Sequence, residues 1–242
     1  MTKILFINAS PLAKKGTTYI LQKAFLEGAR KAGAEIEEVF LAKSDIKPCR
    51  GCFNCWIKTP GQCVIKDDQA ELLQKCLWSD ILVLGTPLYV DGMTAQCKTF
   101  VDRLIPLALP DFVVEEDHCR HPSRMERKWK FLLLSNCGFY EMDNFDALVF
   151  HCKRMCQNFH ADYIGHILRP HGPIMHYSDM LVTEINKIID AVTMAGEEVA
   201  NTGSLSESSI QAVSAPIIPR TAYIEGVNVY WKQELAKINK QV

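Results

Sequence analysis

The sequence of 242 residues has no long hydrophobic run. Its longest early apolar run, residues 4–7, is far shorter than the apolar core of a signal peptide. No uninterrupted stretch approaches the length that spans a bilayer. We therefore expect a cytoplasmic protein without a membrane partner.

The sequence also has no marked excess of positive or negative charge, since it contains 27 basic and 28 acidic residues. Nucleic-acid-binding domains concentrate basic residues to neutralise phosphates, so this balance argues against a nucleic-acid partner. The sequence has neither an internal repeat nor a low-complexity tract. Its hydrophobic fraction of 48% and charged fraction of 23% are typical of a globular protein.

Short apolar segments alternate with amphipathic ones, a pattern typical of a parallel sheet covered by helices on both faces. The predicted strands are residues 3–8, 35–41, 81–85, 131–135 and 163–167, and the predicted helices are residues 19–31, 67–77, 93–104, 145–159 and 179–201. The class is therefore α/β, with a doubly wound five-stranded sheet. A polar break at residues 204–209 and an aromatic-rich tail follow.

Three loops follow the first, third and fourth predicted strands, at the edge where open α/β sheets bind ligands. The first, residues 10–18, offers hydroxyls, a lysine and amides at a helix N-terminus, which suit a phosphate. It matches neither G-x-G-x-x-G nor the Walker pattern, and Ser10 and Thr17 alternatively only cap the helix. Residues 85–93 offer apolar bulk to a flat ring. Residues 135–140 offer small residues and then two aromatics, which alternatively only cover the sheet edge.

Four cysteines within fifteen positions, Cys49, Cys52, Cys55 and Cys63, form a C-x2-C-x2-C-x7-C run after the second predicted strand. Cysteines two residues apart can turn their sulfurs toward one centre, as in iron–sulfur proteins. A structural zinc site more often uses two separated pairs. Free thiols are the remaining alternative, so the run by itself indicates metal or electron chemistry without selecting one.

Several ordered motifs together resemble the NAD(P)H-dependent FMN reductase family, and more narrowly its iron-sulfur flavoprotein branch. They are Asn8-Ala9-Ser10-Pro11 with Gly16-Thr17-Thr18, residues 48–68 around the cysteine run, and Thr86-Pro87-Leu88-Tyr89 with Lys98 and Asp102-Arg103. The resemblance implies a flavodoxin-like sheet with strand order 2-1-3-4-5. It also implies FMN as cofactor and NAD(P)H as electron donor.

The resemblance further implies which residues contact the cofactors. Ser10, Thr17 and Thr18 would hold the FMN phosphate, and Lys15 would replace the arginine that many relatives carry at the position of Leu12. The flavin ring would lie against Pro87, Leu88, Tyr89, Val90, Asp91 and Gly92, and its other side against Asn136, Cys137, Gly138 and Phe139. Backbone amides near Tyr89 and Asn136 are the expected hydrogen-bond partners of the ring. The four cysteines of the run would ligate a 4Fe–4S cluster.

We expect an FMN-dependent oxidoreductase that passes electrons from NAD(P)H to a quinone, nitro compound, metal ion or protein acceptor, directly or through the cluster. No side chain is expected to be catalytic, because the flavin carries the chemistry. The alternative is a non-enzymatic flavin and iron–sulfur electron carrier between partner proteins. The resemblance also implies a homo-oligomer.

The chain is expected to divide into a flavodoxin-like FMN-binding domain, residues 1–203, and a C-terminal helical extension, residues 204–242. The domain includes a cysteine-rich insert at residues 48–66. The aromatic tail of the extension forms either an oligomer contact or an intrachain clasp.

The remaining cysteines and histidines show no ligand spacing. Cys76 and Cys97 lie on apolar helical faces and are interpreted as core residues, while Cys152 and Cys156 form either a thiol pair or core packing. The histidines in loop-like regions are expected to be exposed or to face substrate; they are His118, His121, His171 and His176.

Overall fold

The structure is a computed structural model that describes residues 1–177 and 179–238. Its central strands are β1 (Lys3–Asn8), β2 (Glu35–Phe40), β3 (Ile81–Pro87), β6 (Lys130–Asn136) and β7 (Asp162–Arg169). They form one parallel sheet in the order β2-β1-β3-β6-β7, which is 2-1-3-4-5 when these five strands alone are counted. The predicted fold class and strand order are confirmed. A separate antiparallel hairpin, β4 (Val113–Glu115) and β5 (His118–Arg120), was not predicted.

The helices are α1 (Thr17–Lys31), α2 (Asn54–Ile57), α3 (Gln69–Trp78), α4 (Ala95–Asp102), α5 (Asp146–Asn158), α6 (Val182–Thr202), α7 (Glu207–Ser214) and α8 (Arg220–Ile238). All five predicted helices are present, with ends that differ from the prediction by at most three residues. The prediction of a polar break at residues 204–209 is wrong for residues 207–209, which begin α7. Ser206 caps this helix by accepting the Ser209 N–H at 3.3 Å. None of the described helices is both long and apolar enough to cross a bilayer.

Buried side chains on both faces of the sheet form two cores. On β1, Leu5 and Ile7 pack with residues of α3, α4 and α5, whereas Ile4 and Phe6 pack with residues of α1, α6 and α7. A strand buried on both faces reads as a continuous apolar run, which is why β1 was recognisable in the sequence. The first core also contains the four helical cysteines, so their interpretation as core residues is confirmed; they are Cys76, Cys97, Cys152 and Cys156.

Helices α1 and α6 approach each other so closely that their backbones touch. A Cβ atom on Gly28 would lie 1.8 Å from the Thr193 carbonyl oxygen, and one on Gly196 would lie 1.9 Å from the Phe25 carbonyl oxygen. Only glycine leaves room for this approach. The pair therefore fixes α6 against α1, which begins directly after the first loop of the sheet edge.

Replacing Gly28 with alanine is expected to destabilise the protein by about 1–3 kcal/mol or more, because the added methyl group overlaps the backbone of α6. The matched control is Gly226→Ala in α8, where a Cβ meets nothing within 4 Å. There the higher helix propensity of alanine should leave stability unchanged or raise it by up to about 1 kcal/mol. Urea unfolding measures both free energies. Equal stability of Gly28→Ala and the natural protein would contradict the backbone contact.

Candidate functional site

The loops after β1, β3, β6 and β7 meet at one edge of the sheet through backbone hydrogen bonds. Ala9 N–H donates to the Gly85 carbonyl at 2.7 Å, and Leu88 N–H donates to the Asn136 carbonyl at 2.8 Å. Because β1 lies between β2 and β3, the connections after β1 and β3 leave toward opposite faces and open a crevice, the usual ligand position in such sheets. The three loops selected from the sequence are thus brought together.

The loop between β1 and α1 presents small polar groups around a glycine. Ser10, Thr17 and Thr18 are 3%, 8% and 1% exposed, and a Cβ on Gly16 would lie only 2.8 Å from Ser10 Oγ. The first N–H groups of a helix have no helical carbonyl partner, and in α1 only the third of them, that of Tyr19, donates to the Gly16 carbonyl at 3.0 Å. Hydroxyls, free amides and the positive end of a helix are the donors that a phosphate requires. Lys15 lies exposed beside this loop.

The two threonines connect this loop to the loops after β6 and β7. Asn136 Nδ2 donates to Thr18 Oγ1 at 2.8 Å, and the Thr17 hydroxyl donates to the Gly172 carbonyl at 3.3 Å. The N-cap of α1 is Gly16, without a side-chain capping bond, so Ser10 and Thr17 do not serve as its caps. The capping alternative from the sequence is therefore wrong.

The loop after β3 is a tight turn with an exposed tip. Tyr89 N–H donates to the Gly92 carbonyl at 2.9 Å, and Gly92 N–H returns a bond to the Tyr89 carbonyl at 3.1 Å. Val90 and Asp91 both have positive φ, at 48° and 58°, as in the primed turns of hairpins. A β-branched residue in this region is strained, a feature that clusters at ligand sites. The Tyr89 amide is already bonded within the turn, the Tyr89 side chain is half exposed, and Leu88 packs against the first core.

Thr94, which the sequence interpretation missed, fastens this turn to β1. Its hydroxyl donates to the Ala9 carbonyl at 2.8 Å, and its N–H donates to Thr86 Oγ1 at 3.2 Å. Thr94 Oγ1 also accepts the Cys97 N–H at 3.3 Å and so caps α4. A threonine two residues inside the predicted helix start was the only signal in the sequence.

The loop after β6 combines a buried base with an exposed tip. Asn136 and Cys137 are 6% and 4% exposed, whereas Phe139 is 65% exposed and does not cover the sheet edge. The Cys137 thiol donates to the Phe139 carbonyl at 3.3 Å, and burial raises its pKa. The sulfur is therefore held as a protonated thiol against its own loop, and Gly138 leaves the tip open.

The cysteine segment, residues 48–66, lies beyond β2 and carries the four thiols of the run. Cys49 and Cys52 are exposed, Cys55 and Cys63 are half-buried, and all four are free. Burial raises the pKa of Cys55, and the nearby charges of Cys63, Cys49 and Cys52 raise it further. Within residues 1–177 and 179–238, no three His, Cys, Asp or Glu side chains are close enough to hold a metal ion. The four thiols thus have the chemistry of a cluster site without its closed geometry.

A buried ion pair fixes the base of the cysteine segment. Arg103 Nη1 and Nη2 donate to the two Asp67 carboxylate oxygens at 2.8 and 2.9 Å, and the two side chains are 1% and 0% exposed. Nη1 also donates to the Lys47 carbonyl at 2.5 Å, and Lys47 N–H donates to Asp67 at 2.9 Å. Both ends of the segment are therefore joined at one point.

An aromatic side chain holds the tip of the same segment. Trp56 Nε1 donates to the Ile105 carbonyl at 3.3 Å, and its ring lies 4.9 Å from that of Phe53 and 4.8 Å from that of His121. These contacts seat α2 on the chain that follows α4.

The expectation that the loop histidines are exposed or face substrate is wrong for His171, which is 1% exposed. Its Nε2 accepts hydrogen bonds from Arg169 Nη2 at 3.1 Å and from Ile217 N–H at 3.3 Å. His118 and His176 are exposed, and His121 is half-buried.

The sheet order, the crevice and its loops define a protein of the flavodoxin-like α/β class. A family model described as NADPH-dependent FMN reductase matches residues 2–121, just under half of the chain, and over this part the chain is similar to that family. The matched part includes the first two loops and the cysteine run. The family predicted from the motifs is confirmed.

Curated relatives are similar over slightly less than half of the chain. An iron-sulfur flavoprotein of Methanocaldococcus jannaschii is 37% identical over 107 residues, which are 44% of this chain and 54% of the relative. An iron-sulfur flavoprotein of Archaeoglobus fulgidus is 38% identical over 104 residues, or 43% and 46% of the two chains. This chain spans about half the length of the curated relatives that it matches. The similarity confirms the predicted branch.

Solved structures share the fold at low sequence identity. An FMN-dependent NADH-azoreductase from Bacillus anthracis in complex with FMN aligns with a TM-score of 0.61 and 20% identity over 83% of this chain and 100% of that chain. An NAD(P)H:quinone oxidoreductase from Methanothermobacter marburgensis aligns with a TM-score of 0.55 and 16% identity over 82% and 98%. At these identities the likeness establishes the fold alone.

Replacing Asp67 with asparagine is expected to destabilise the protein by about 3–5 kcal/mol, because it leaves the Arg103 guanidinium buried without its counter-ion. The control is Asp102→Asn, whose exposed ion pair with Lys98 at 2.6 Å should contribute about 0.5 kcal/mol or less. Urea unfolding at neutral pH measures both, and similar losses in the two variants would contradict the role of the buried pair.

The ion pair between Asp67 and Arg103 also makes the stability of the fold depend on pH. Burial raises the pKa of the Asp67 carboxyl, but the hydrogen bonds and charge of Arg103 outweigh this effect and leave the pKa below its usual value. The stabilisation should therefore be complete above the usual carboxyl pKa of about 3.9 and be lost as the pH falls through the lowered value.

Proposed function

We propose that the chain binds FMN in the crevice between β1 and β3 and passes electrons from NAD(P)H to an acceptor. The observation that carries the proposal is the junction of the loops after β1 and β6, where Asn136 Nδ2 bonds to Thr18 Oγ1 beside the free amides of α1. That junction joins a phosphate-binding donor set to loops that can enclose a ring. The matched family agrees with this reading.

In this proposal each loop has a separate task. The hydroxyls of Ser10, Thr17 and Thr18, with the α1 amides and the charge of Lys15, hold the phosphate. The turn of residues 87–92 and the loop of residues 136–139 cover the two sides of the ring and exclude water. When bound, FMN supplies hydride and single-electron transfer, and no side chain of the chain acts as a catalytic acid or nucleophile.

The acceptor is proposed as a class. The structural neighbours include an azoreductase and a quinone oxidoreductase, so a quinone, a nitro compound or a related small molecule is the first candidate. A metal ion or a protein acceptor is the second. The alternative function is a non-enzymatic electron carrier, favoured by the exposed cysteine segment, which leaves thiols accessible to a partner.

Thr17→Val is expected to weaken FMN binding about tenfold or more, because the hydroxyl proton that donates to the Gly172 carbonyl would turn to the phosphate, and a hydrogen bond to a charged group contributes about 1.5–3 kcal/mol. Thr183→Val, at an exposed position on α6, is the control and should bind FMN like the natural protein. Quenching of flavin fluorescence during titration measures both dissociation constants. Equal affinities in the two variants would contradict the phosphate site at the α1 N-terminus.

The FMN-loaded protein also distinguishes enzyme from carrier. The enzyme oxidises NADH or NADPH with a quinone or ferricyanide as acceptor. The carrier does not oxidise NADH or NADPH with either acceptor, but it accepts electrons from reduced ferredoxin. A protein that binds FMN but shows only the second behaviour would establish the alternative.

We also propose that Cys49, Cys52, Cys55 and Cys63 ligate a 4Fe–4S cluster. The support is chemical and comparative: four free thiols lie within fifteen residues of the chain, and the similar curated proteins are named iron-sulfur flavoproteins. Four thiolates are the usual ligands of such a cluster. Zinc and free thiols stay as the other outcomes of the test.

Anaerobically purified protein is expected to contain about four irons and four acid-labile sulfides per chain. Cys55→Ser should lose most of both, whereas Cys119→Ser, an exposed cysteine on β5, should keep them. Iron and sulfide assays with a visible spectrum before and after dithionite provide the measurement. Substoichiometric iron in the natural protein would contradict the cluster, and zinc in its place would establish the structural site.

A cytoplasmic location, a division at residues 203 and 204 and a homo-oligomer remain proposals. For the oligomer, the support is α8, whose side chains Val229, Trp231 and Leu235 are 52–60% exposed. Exposed apolar side chains on a helix are typical of a contact between protein chains. A second copy of this chain is the proposed partner.

A further inference from the structure

Residues 213–223, here called the C-terminal clamp, lie across the loops that follow β6 and β7. The clamp begins in the last turn of α7 and ends in the first turn of α8. Val213, Ile217 and Tyr223 are buried in the second core of the sheet. This segment lies outside the residues that match the FMN reductase family.

Arg169, the last residue of β7, binds the start of the clamp. Its guanidinium is fully buried and donates to the carbonyls of Val213 at 3.0 Å, Ser214 at 3.2 Å and Ala215 at 2.8 Å. These carbonyls end α7, where a helix has no N–H partners for them and its dipole favours a cation. Burial lowers the pKa of Arg169 to about 10, so the side chain stays charged at neutral pH. The charge thus fixes the clamp to the end of β7.

His171 connects the clamp to the loop after β6. Arg169 Nη2 and Ile217 N–H can only donate, so Nε2 of His171 must be their acceptor, and the ring is neutral with its proton on Nδ1. Burial and the Arg169 charge agree with this state, since they lower the His171 pKa to about 4. The backbone N–H of His171 donates to the Phe139 carbonyl at 2.6 Å.

Two tyrosines complete the connection from opposite sides. Tyr223 of the clamp donates its hydroxyl to the Gly138 carbonyl at 2.6 Å, and Tyr140 of the loop donates its hydroxyl to the Ile218 carbonyl at 3.0 Å. The rings of Tyr140 and Tyr223 lie 4.7 and 5.5 Å from that of His171. The Gly138 carbonyl is therefore bonded by the clamp itself, and the Phe139 carbonyl by the backbone of His171, whose ring accepts the Ile217 N–H of the clamp.

Packing alone does not hold this loop. Gly138 has no neighbouring atoms where a Cβ would be, and Phe139 is 65% exposed. A cavity of about 480 Å³ opens beside Tyr140, between Met142 and Pro216. The hydrogen bonds from Tyr223, from the His171 backbone and from the Cys137 thiol are thus the contacts that define where the loop tip lies.

We propose that the C-terminal clamp is part of the FMN site and that Tyr223 is a positioning residue for residues 137–139. The proposal rests on the proposed function, because these residues are assigned there to one side of the flavin ring. A loop fixed before the cofactor arrives loses less conformational entropy on binding. The clamp therefore raises FMN affinity without touching FMN.

The test compares Tyr223→Phe with Tyr230→Phe, because Tyr230 lies on the same helix and is 44% exposed. Tyr223→Phe removes one hydrogen bond and keeps the buried ring. It should weaken FMN binding about three- to tenfold, while Tyr230→Phe leaves affinity unchanged. Thermal unfolding of both FMN-free variants is measured alongside.

A purely structural role for Tyr223 would lower the unfolding temperature of the FMN-free protein and leave the FMN dissociation constant unchanged. That result overturns the proposal. Failure of the natural protein to bind FMN would instead overturn the proposed function, so the two failures are distinguishable.

Hydrogen exchange of the natural protein gives a second measurement that needs no variant. If the clamp belongs to the site, saturating FMN slows amide exchange both in residues 137–140 and in residues 213–223. Protection confined to residues 137–140 would show that the clamp does not respond to the cofactor, and this also overturns the proposal.

Discussion

The ion pair between Asp67 and Arg103 is the constraint on which the position of the cysteine segment depends. Among the ion pairs of the described residues, it alone has both side chains exposed by 1% or less. Removing two charges from water costs several kcal/mol each, and excellent geometry with further hydrogen bonds offsets that cost. The Lys47 amide and carbonyl supply those bonds, so the pair is stable only when the segment returns to this point.

Helix α4 connects the cysteine segment to the crevice. At its start, Thr94 holds together the ends of β1 and β3, and at its end, Arg103 holds Asp67. Eight residues of α-helix extend for about 12 Å. One short rigid element therefore fixes the distance between the proposed flavin and the proposed cluster, and a displacement of either end of α4 reaches both.

The sequence predicted the elements that are simple in pattern and missed those that depend on distant contacts. The strand β1 was evident because both its faces are buried, and the loops followed from their place after strands. The extension at residues 204–242 was expected to be helical, but the bounds of α8 were not predicted, because its apolar residues do not follow one helical face. The burial of His171 was unpredictable, since its partner Ile217 lies 46 residues away. The same applies to the bond from Tyr223 to Gly138, although one alternative for the aromatic tail was an intrachain clasp.

Joining both ends of the cysteine segment at one ion pair also lowers the conformational entropy that the segment can still lose. An open chain must lose the entropy of loop closure before its sulfurs can meet, and that cost rises with the logarithm of loop length. Here the closure is already made by the folded sheet, so the four thiols are held at a high effective concentration in a loop that can still rearrange. Folding of the α/β domain thereby does part of the work of gathering the four sulfurs.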